Sequence, residues 1–184
     1  MFVVTSNRRR IALASLIVIV VGSAGGLFAF YNYFLPESVA EIDQVIPLLT
    51  LQDMDGRPVN IDSYRGKLLL ASFIEVNCHH CRDQLSVLET IHREIPDKNL
   101  TLLAISTSSV EKTGVFFQAH PISFPVWIDA SRNLYKKLGV FNVPALFFLD
   151  ETGVLRYKAV GYQSTDAVSG IIDSLFLRKE TSRE

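Results

Sequence analysis

Cysteine is almost missing from this sequence: its 184 residues hold two, Cys78 and Cys81. One disulfide at most can form within the chain, and a closed metal site has no further thiolate to draw on. Surplus charge is missing as well, since the formal net value is −1. All three basic residues that precede Pro36 are grouped at Arg8, Arg9 and Arg10, and the remainder of the chain sets 15 Lys and Arg against 19 Asp and Glu. That is an ordinary soluble surface with no basic patch for nucleic acid, and no nucleic-acid partner is expected. Neither an internal repeat nor a low-complexity tract is present. Tryptophan occurs once, as Trp127 between Val126 and Ile128, a pattern that reads as core.

Charge is absent altogether from Ile11 to Leu35, a run of 25 residues. At about 1.5 Å per residue a helix of this length crosses a hydrocarbon core of roughly 30 Å with some tilt. Arg8 to Arg10 lie directly before it, whereas the far flank carries Glu37, Glu41 and Asp43. The basic side stays in the cytoplasm, so the reading is a cytoplasmic segment 1–10, a single membrane anchor 11–35 and an extracytoplasmic remainder. Tyr31 and Tyr33 suit the outer interface. The rival is a cleaved signal peptide ending near Gly22-Ser23-Ala24. Against it, Leu27-Phe28-Ala29-Phe30 and the residues up to Leu35 would then be exposed on a mature soluble protein. No cysteine follows directly, which excludes a lipid-modified N-terminal cysteine.

Residues 36–47 read as a stalk, 48–177 as one domain and 178–184 as a charged tail. Within the domain, Leu48–Leu51 and Val59–Ile61 flank Asp53-Met54-Asp55-Gly56, whose Asp-Gly pair favours a tight hairpin. Leu68–Ile74 is a near-continuous apolar run, as in a strand covered on both faces. Leu85, Leu88, Ile91 and Ile95 mark one face of a helix that Pro96 ends. A strand over 100–105, a helix over 110–119, a short strand over 125–128 and a helix over 131–138 follow. Strands over 145–149 and 154–160 form a hairpin across Asp150-Glu151-Thr152-Gly153, and a helix over 165–177 turns Val168, Ile171, Ile172 and Leu175 inward. Such an order implies an α/β domain with a mixed sheet.

The two cysteines stand as Cys78-His79-His80-Cys81 where the buried strand hands over to a helix. Thiol-disulfide exchange needs a thiolate, and an ordinary cysteine is mostly protonated at neutral pH. If Cys78 opens the helix, its sulfur faces unpaired N–H groups and the positive end of the macrodipole. Cys78 is therefore the candidate nucleophile and Cys81, one turn inside, the resolving thiol. His79 and His80 would favour the thiolate by hydrogen bonding or charge and make the disulfide more oxidising; alternatively both rings point to solvent. Glu75 is a candidate base, or else a strand-end residue bonded to the loop.

The run from about Leu48 to Leu177 resembles the membrane-anchored thioredoxin-like thiol-disulfide oxidoreductases of the TlpA/ResA type. The residues that carry the resemblance are Asp55-Gly56-Arg57-Pro58-Val59, Tyr64-Arg65-Gly66-Lys67, Cys78-His79-His80-Cys81 and Gly139-Val140-Phe141-Asn142-Val143-Pro144. It implies a thioredoxin fold with an N-terminal β-hairpin and a helix-strand insertion at 110–128. It also implies a cis Val143–Pro144 bond facing the dithiol, with the Val143 backbone pairing with the substrate chain. Protein thiols or disulfides would be the substrates, an upstream redox protein the partner, and cytochrome c maturation a candidate pathway. No cofactor is implied beyond the redox-active Cys78–Cys81 pair. The chain departs from the family at Asn77 and Ile74, where aromatic residues are usual, and at Gln84, where a carboxylate is common.

Other readings fare less well. Copper or zinc handling by Cys78, His79, His80 and Cys81 is the alternative, but four consecutive residues cannot converge on one tetrahedral ion, and His92 and His120 would have to help from a distance. No metal site is expected. A peroxiredoxin needs threonine three residues before its reactive cysteine, where Glu75 stands, and haem attachment needs histidine after the second cysteine, where Arg82 stands. A purely structural disulfide closing so short a loop would restrain little of the unfolded chain.

Overall fold

The computed structural model describes residues 41–46, 50–95 and 99–181. The expected anchor over 11–35, the segment before it and the start of the stalk lie outside the described residues. Among the described residues no helix is long and apolar enough to cross a membrane.

Two strands, β1 (Thr50–Asp53) and β2 (Pro58–Asn60), form the expected hairpin. Asp53 Oδ1 accepts the N–H groups of Asp55 and Arg57 at 2.9 and 2.8 Å. Gly56, at φ +78°, supplies the left-handed turn that residues with a side chain rarely adopt. Ile61 does not extend β2 as expected: Asn60 caps a short 3-10 helix over Ile61–Tyr64 by accepting the Asp62 N–H. The other elements are β3 (Leu68–Ile74), α1 (His79–Glu94), β4 (Leu100–Ser106), α2 (Val110–Ala119), β5 (Val126–Ile128), α3 (Asn133–Lys137), β6 (Ala145–Leu149), β7 (Leu155–Val160) and α4 (Thr165–Thr181). The closing helix thus continues to Thr181, past the Leu177 at which the apolar pattern stops.

The seven β-strands of the described residues join one mixed sheet in the order β2-β1-β5-β4-β3-β6-β7. Every residue of β3 is buried, in keeping with its unbroken apolar run. Its side chains alternate between two cores. Leu69, Ala71 and Phe73 pack with Leu103, Ile105 and Phe147 beneath Leu134 and Leu138 of the α3 region. Leu70 and Ile74 pack with Leu102 and Phe148 beneath Leu85, Leu88 and Ile91 of α1 and Val168 and Ile172 of α4. The helix-strand insertion has a definite place in this sheet. Its β5 runs parallel to β4 and antiparallel to β1, so it is the strand that attaches the N-terminal hairpin.

The stretch expected as a stalk is different over its described part. Residues 43–46 lie along the start of β7: the Asp43 and Ile46 N–H groups donate to Leu155 and Gly153 carbonyls at 2.8 and 3.1 Å, and the Leu155 N–H to Gln44 at 2.9 Å. Ile46 is buried among Ile61, Leu69 and Leu149. An isoleucine and three backbone bonds have found partners, which a free stalk could not offer. Arg156 fastens the same corner, bonding Asp150 at 2.7 Å and Asp43 at 2.6 Å.

Two outcomes test this corner. Ile46→Ala should lower unfolding stability by about 2 kcal/mol or more, the range for truncating a buried isoleucine, whereas a residue on a free stalk would change it by less than about 0.5 kcal/mol; denaturant titration decides. Burial alone would raise the Asp150 carboxyl, but the Thr152 hydroxyl, the Val154 N–H and Arg156 outweigh it and hold the group below the usual carboxylate range. A depressed native value stabilises above the unfolded pKa of about 3.9 and is lost as pH falls through the native one. Acid titration of the denaturation midpoint should therefore show a steeper fall for the native chain than for Asp150→Asn.

Candidate functional site

The sheet brings the two sequence signals together. β3 and β6 are antiparallel with Phe73 opposite Ala145, so the end of β3, from which α1 departs, meets the beginning of β6 and the residue before it. The Val143–Pro144 bond is cis, as the resemblance implies. Pro144 is buried and Val143 half-buried.

Cys78 is the N-cap of α1, extended at φ −90° and ψ 115°. Its Sγ accepts the Cys81 N–H at 3.2 Å, the bond by which an N-cap side chain satisfies a free donor of the first turn. A negative sulfur would sit at the positive end of this 16-residue helix. On its other side Cys78 Sγ lies 3.7 Å from the Val143 carbonyl oxygen, to which the thiol donates. Both cysteines are free thiols; Cys78 is partly exposed and Cys81 buried. Burial pushes the Cys81 thiol well above its ordinary value, and the side-chain hydrogen bond with Cys78 and the nearby Glu75 charge push the same way. The arrangement offers one accessible sulfur with a second, shielded one a turn behind it.

The tuning candidates are placed less closely. His79 and His80 are both largely exposed and share Asp83, whose Oδ2 lies 3.6 Å from one ring and 3.8 Å from the other. Arg82 adds a contact to His79 Nδ1 at 3.0 Å. Their partners are thus one another's neighbours on the first turn, and neither ring is bonded to a sulfur. Glu75 accepts a hydrogen bond from Arg132 Nη2 at 2.5 Å, so its carboxylate is committed to an ion pair. Its backbone carbonyl accepts the Cys78 N–H at 3.0 Å. Arg132 holds a left-handed conformation at φ 57° before α3, and nothing local in the sequence pairs it with a residue 57 positions away.

Three further features belong to the site. Gln84, where the resemblance leads one to look for a carboxylate, is fully buried and its Oε1 accepts the Gln163 N–H at 2.7 Å. The Gly161 N–H donates to the Pro144 carbonyl at 2.8 Å, so the loop after β7 is tied to both α1 and the cis-proline. Phe141 is 83% exposed beside Val143. From the sequence Gln84 stood out only as a departure from the family pattern, and Phe141 only as part of the Gly139–Pro144 run. Among the described residues no three His, Cys, Asp or Glu side chains are grouped to hold a metal ion. His92 packs edge-on against Phe124, and His120 lies tilted against Phe116.

Residues 42–158 match the AhpC/TSA family, well over half of the chain. The chain belongs to that family. Within the AhpC/TSA proteins it is similar to the thiol-disulfide oxidoreductase ResA of Bacillus cereus, 21% identical over 161 residues covering 87% of this chain and 93% of ResA. Solved structures share the thioredoxin-like fold. The thioredoxin domain of a Bacteroides vulgatus thiol-disulfide oxidoreductase superposes with a TM-score of 0.65 at 19% identity, over 73% of this chain and 97% of that one. A secreted Mycobacterium tuberculosis disulfide oxidoreductase homologous to DsbE gives 0.60 at 22% identity, over 68% and 95%. At the place of the threonine that a peroxiredoxin requires, this AhpC/TSA member has the Glu75 side chain paired to Arg132.

The unequal thiols give a direct test. In the reduced protein at neutral pH iodoacetamide should modify Cys78 alone, since a buried thiol with a raised pKa stays protonated and shielded. Cys81 should react only as the pH is raised or the protein unfolded. Peptide mass mapping reads the sites, and equal modification of both at neutral pH would contradict the described geometry.

Proposed function

We propose that this thiol-disulfide oxidoreductase of the ResA and DsbE type exchanges disulfides with protein clients outside the cytoplasmic membrane, held there by residues 11–35. The observation that carries the reading is the partly exposed Cys78 sulfur. It rests on the first turn of α1 and against Val143, with Cys81 buried one turn behind. In the reducing direction, Cys78 attacks a client disulfide and forms a mixed disulfide. Cys81 then attacks Cys78, releasing the client thiolate and leaving a Cys78–Cys81 disulfide. In the oxidising direction the same steps run in reverse. The redox-active pair is the whole of the chemistry, and an upstream redox protein resets it.

The polar edges of the Val143 backbone lie beside the reacting sulfur, where an extended client segment would pair with them. His79, His80 and Asp83 border the same face and set its charge. Glu75 acts on the pair through its charge near Cys81, with Arg132 as counterion. Assembly of a thiol-requiring cofactor protein, such as a cytochrome c, is a client pathway that fits an extracytoplasmic dithiol.

Cys81→Ser should accumulate mixed disulfides through Cys78 in cells, seen as adducts on non-reducing gels that vanish with reductant and are absent from Cys78→Ser. Failure to capture any client, together with tight Cu(I) binding, would favour metal transfer instead. The reduction potential sets the direction: a value near about −270 mV marks a reductant like thioredoxin and one near about −120 mV an oxidant like DsbA.

A further inference from the structure

Arg132 holds a left-handed backbone at φ 57° directly before α3, a conformation that glycine adopts without cost and arginine does not. The turn asks for no arginine there. Its side chain caps nothing in α3, where the buried Asp129 carboxylate accepts the Asn133 and Tyr135 N–H groups at 2.9 and 2.8 Å. The ion pair with Glu75 is of little help to folding either, since the two side chains are 46% and 41% exposed and water screens such a pair. A strained residue that the fold does not need is kept for what its side chain does.

The guanidinium is fixed to the end of β3 from two sides. Its carbon lies 5.5 Å from the centre of the Tyr135 ring, and Tyr135 packs edge-on against Phe73 of β3 with ring centres 6.1 Å apart. Just past the end of that strand, Glu75 closes the circuit by accepting the hydrogen bond from Arg132 Nη2. Glu75 in turn touches the dithiol: its carbonyl accepts the Cys78 N–H, and its charge bears on Cys81, where it opposes a thiolate. The charged side chains on the first turn of α1, His79, His80, Arg82 and Asp83, contact one another. The carboxylate beside the sulfurs is answered from across the chain, by Arg132.

We propose that Arg132 is a positioning residue that holds the Glu75 carboxylate off the dithiol and thereby keeps the Cys78–Cys81 couple less reducing than it would otherwise be. This rests on the exchange chemistry proposed above. The disulfide form carries no charge on sulfur, whereas the reduced form carries one whenever a thiolate is present. A carboxylate free to turn toward the sulfurs therefore penalises the reduced form alone. Stabilising the reduced form makes a couple more oxidising, and penalising it does the reverse. Arg132 touches neither sulfur in this account and acts only through Glu75.

The test equilibrates the full-length chain in detergent with glutathione buffers at one neutral pH and counts free thiols by maleimide trapping. The Cys78–Cys81 bond forms as the glutathione disulfide bond breaks. Two electrons pass from the protein dithiol to glutathione, and two glutathione thiols take up the protons, from the dithiol or, where Cys78 is already a thiolate, partly from solvent. Arg132→Gly removes the cation and suits the left-handed backbone, so its denaturation midpoint should equal or exceed that of the native chain. Its equilibrium constant for oxidation should rise roughly threefold to tenfold, a potential lower by about 15 to 30 mV. In a Glu75→Gln background the same substitution should change that constant by less than about twofold. An unchanged constant in Arg132→Gly overturns the proposal, and if the midpoint falls as well the pair is a structural tie. An equal shift in both backgrounds also overturns it, because Arg132 then acts on the sulfurs directly. If the native chain forms no Cys78–Cys81 disulfide at any glutathione ratio, the two are not an exchange pair, and the functional reading fails with the proposal.

Discussion

The antiparallel register of β3 against β6 is the constraint on which the site depends. With Phe73 facing Ala145, Ile74 and Pro144 are brought to the same end of the sheet. The turn to α1 and the cis peptide therefore meet without any contact made for that purpose. A slip of one residue would turn Leu70 and Ile74 into the other core and carry Val143 away from Cys78. The two cores resist such a slip, since each apolar residue of β3 is matched to a layer already filled.

From this end of the sheet the site grows by local chemistry. Cys78 caps its helix with a sulfur, and that one bond to the Cys81 N–H orients the nucleophile, ties it to the resolving residue and sets it at the helix dipole. The loop after β7 closes a ring of contacts: Pro144 holds Gly161, and Gln84 holds Gln163. The active-site helix and the cis-proline are thereby linked by a third segment, which limits how far they can separate.

Where periodicity or a short motif carried the information, the sequence was readable. The alternation in β3, the helical stripe of Leu85, Leu88 and Ile91, the Asp53–Gly56 turn and the likeness at Val143–Pro144 all rest on near neighbours or on a pattern with a known geometry. What stayed hidden was long-range. Nothing in a three-residue strand tells that β5 pairs with both β4 and β1. Glu75 could be read either as a base or as a strand-end residue bonded to its loop, because its cation lies 57 residues away. Gln84 looked like a mere departure from a family pattern, since neither its burial nor its bond to a residue 79 positions on leaves a trace in its neighbours. The segment before β1 was read as a stalk for the same reason: Val45 and Ile46 are ordinary apolar residues until β7 is beside them.

That last contact bears on how the sheet ends. A final strand offers a row of unpaired N–H and C=O groups on which another chain can add itself, a standing invitation to aggregation or strand exchange. By lying along Gly153 to Leu155, residues 43–46 occupy the first part of that row from within the same chain. Arg156 and Lys158 put charge on what is left of it. Part of this edge of the sheet is thus occupied by the chain itself, at the corner that Arg156 fastens to Asp43 and Asp150.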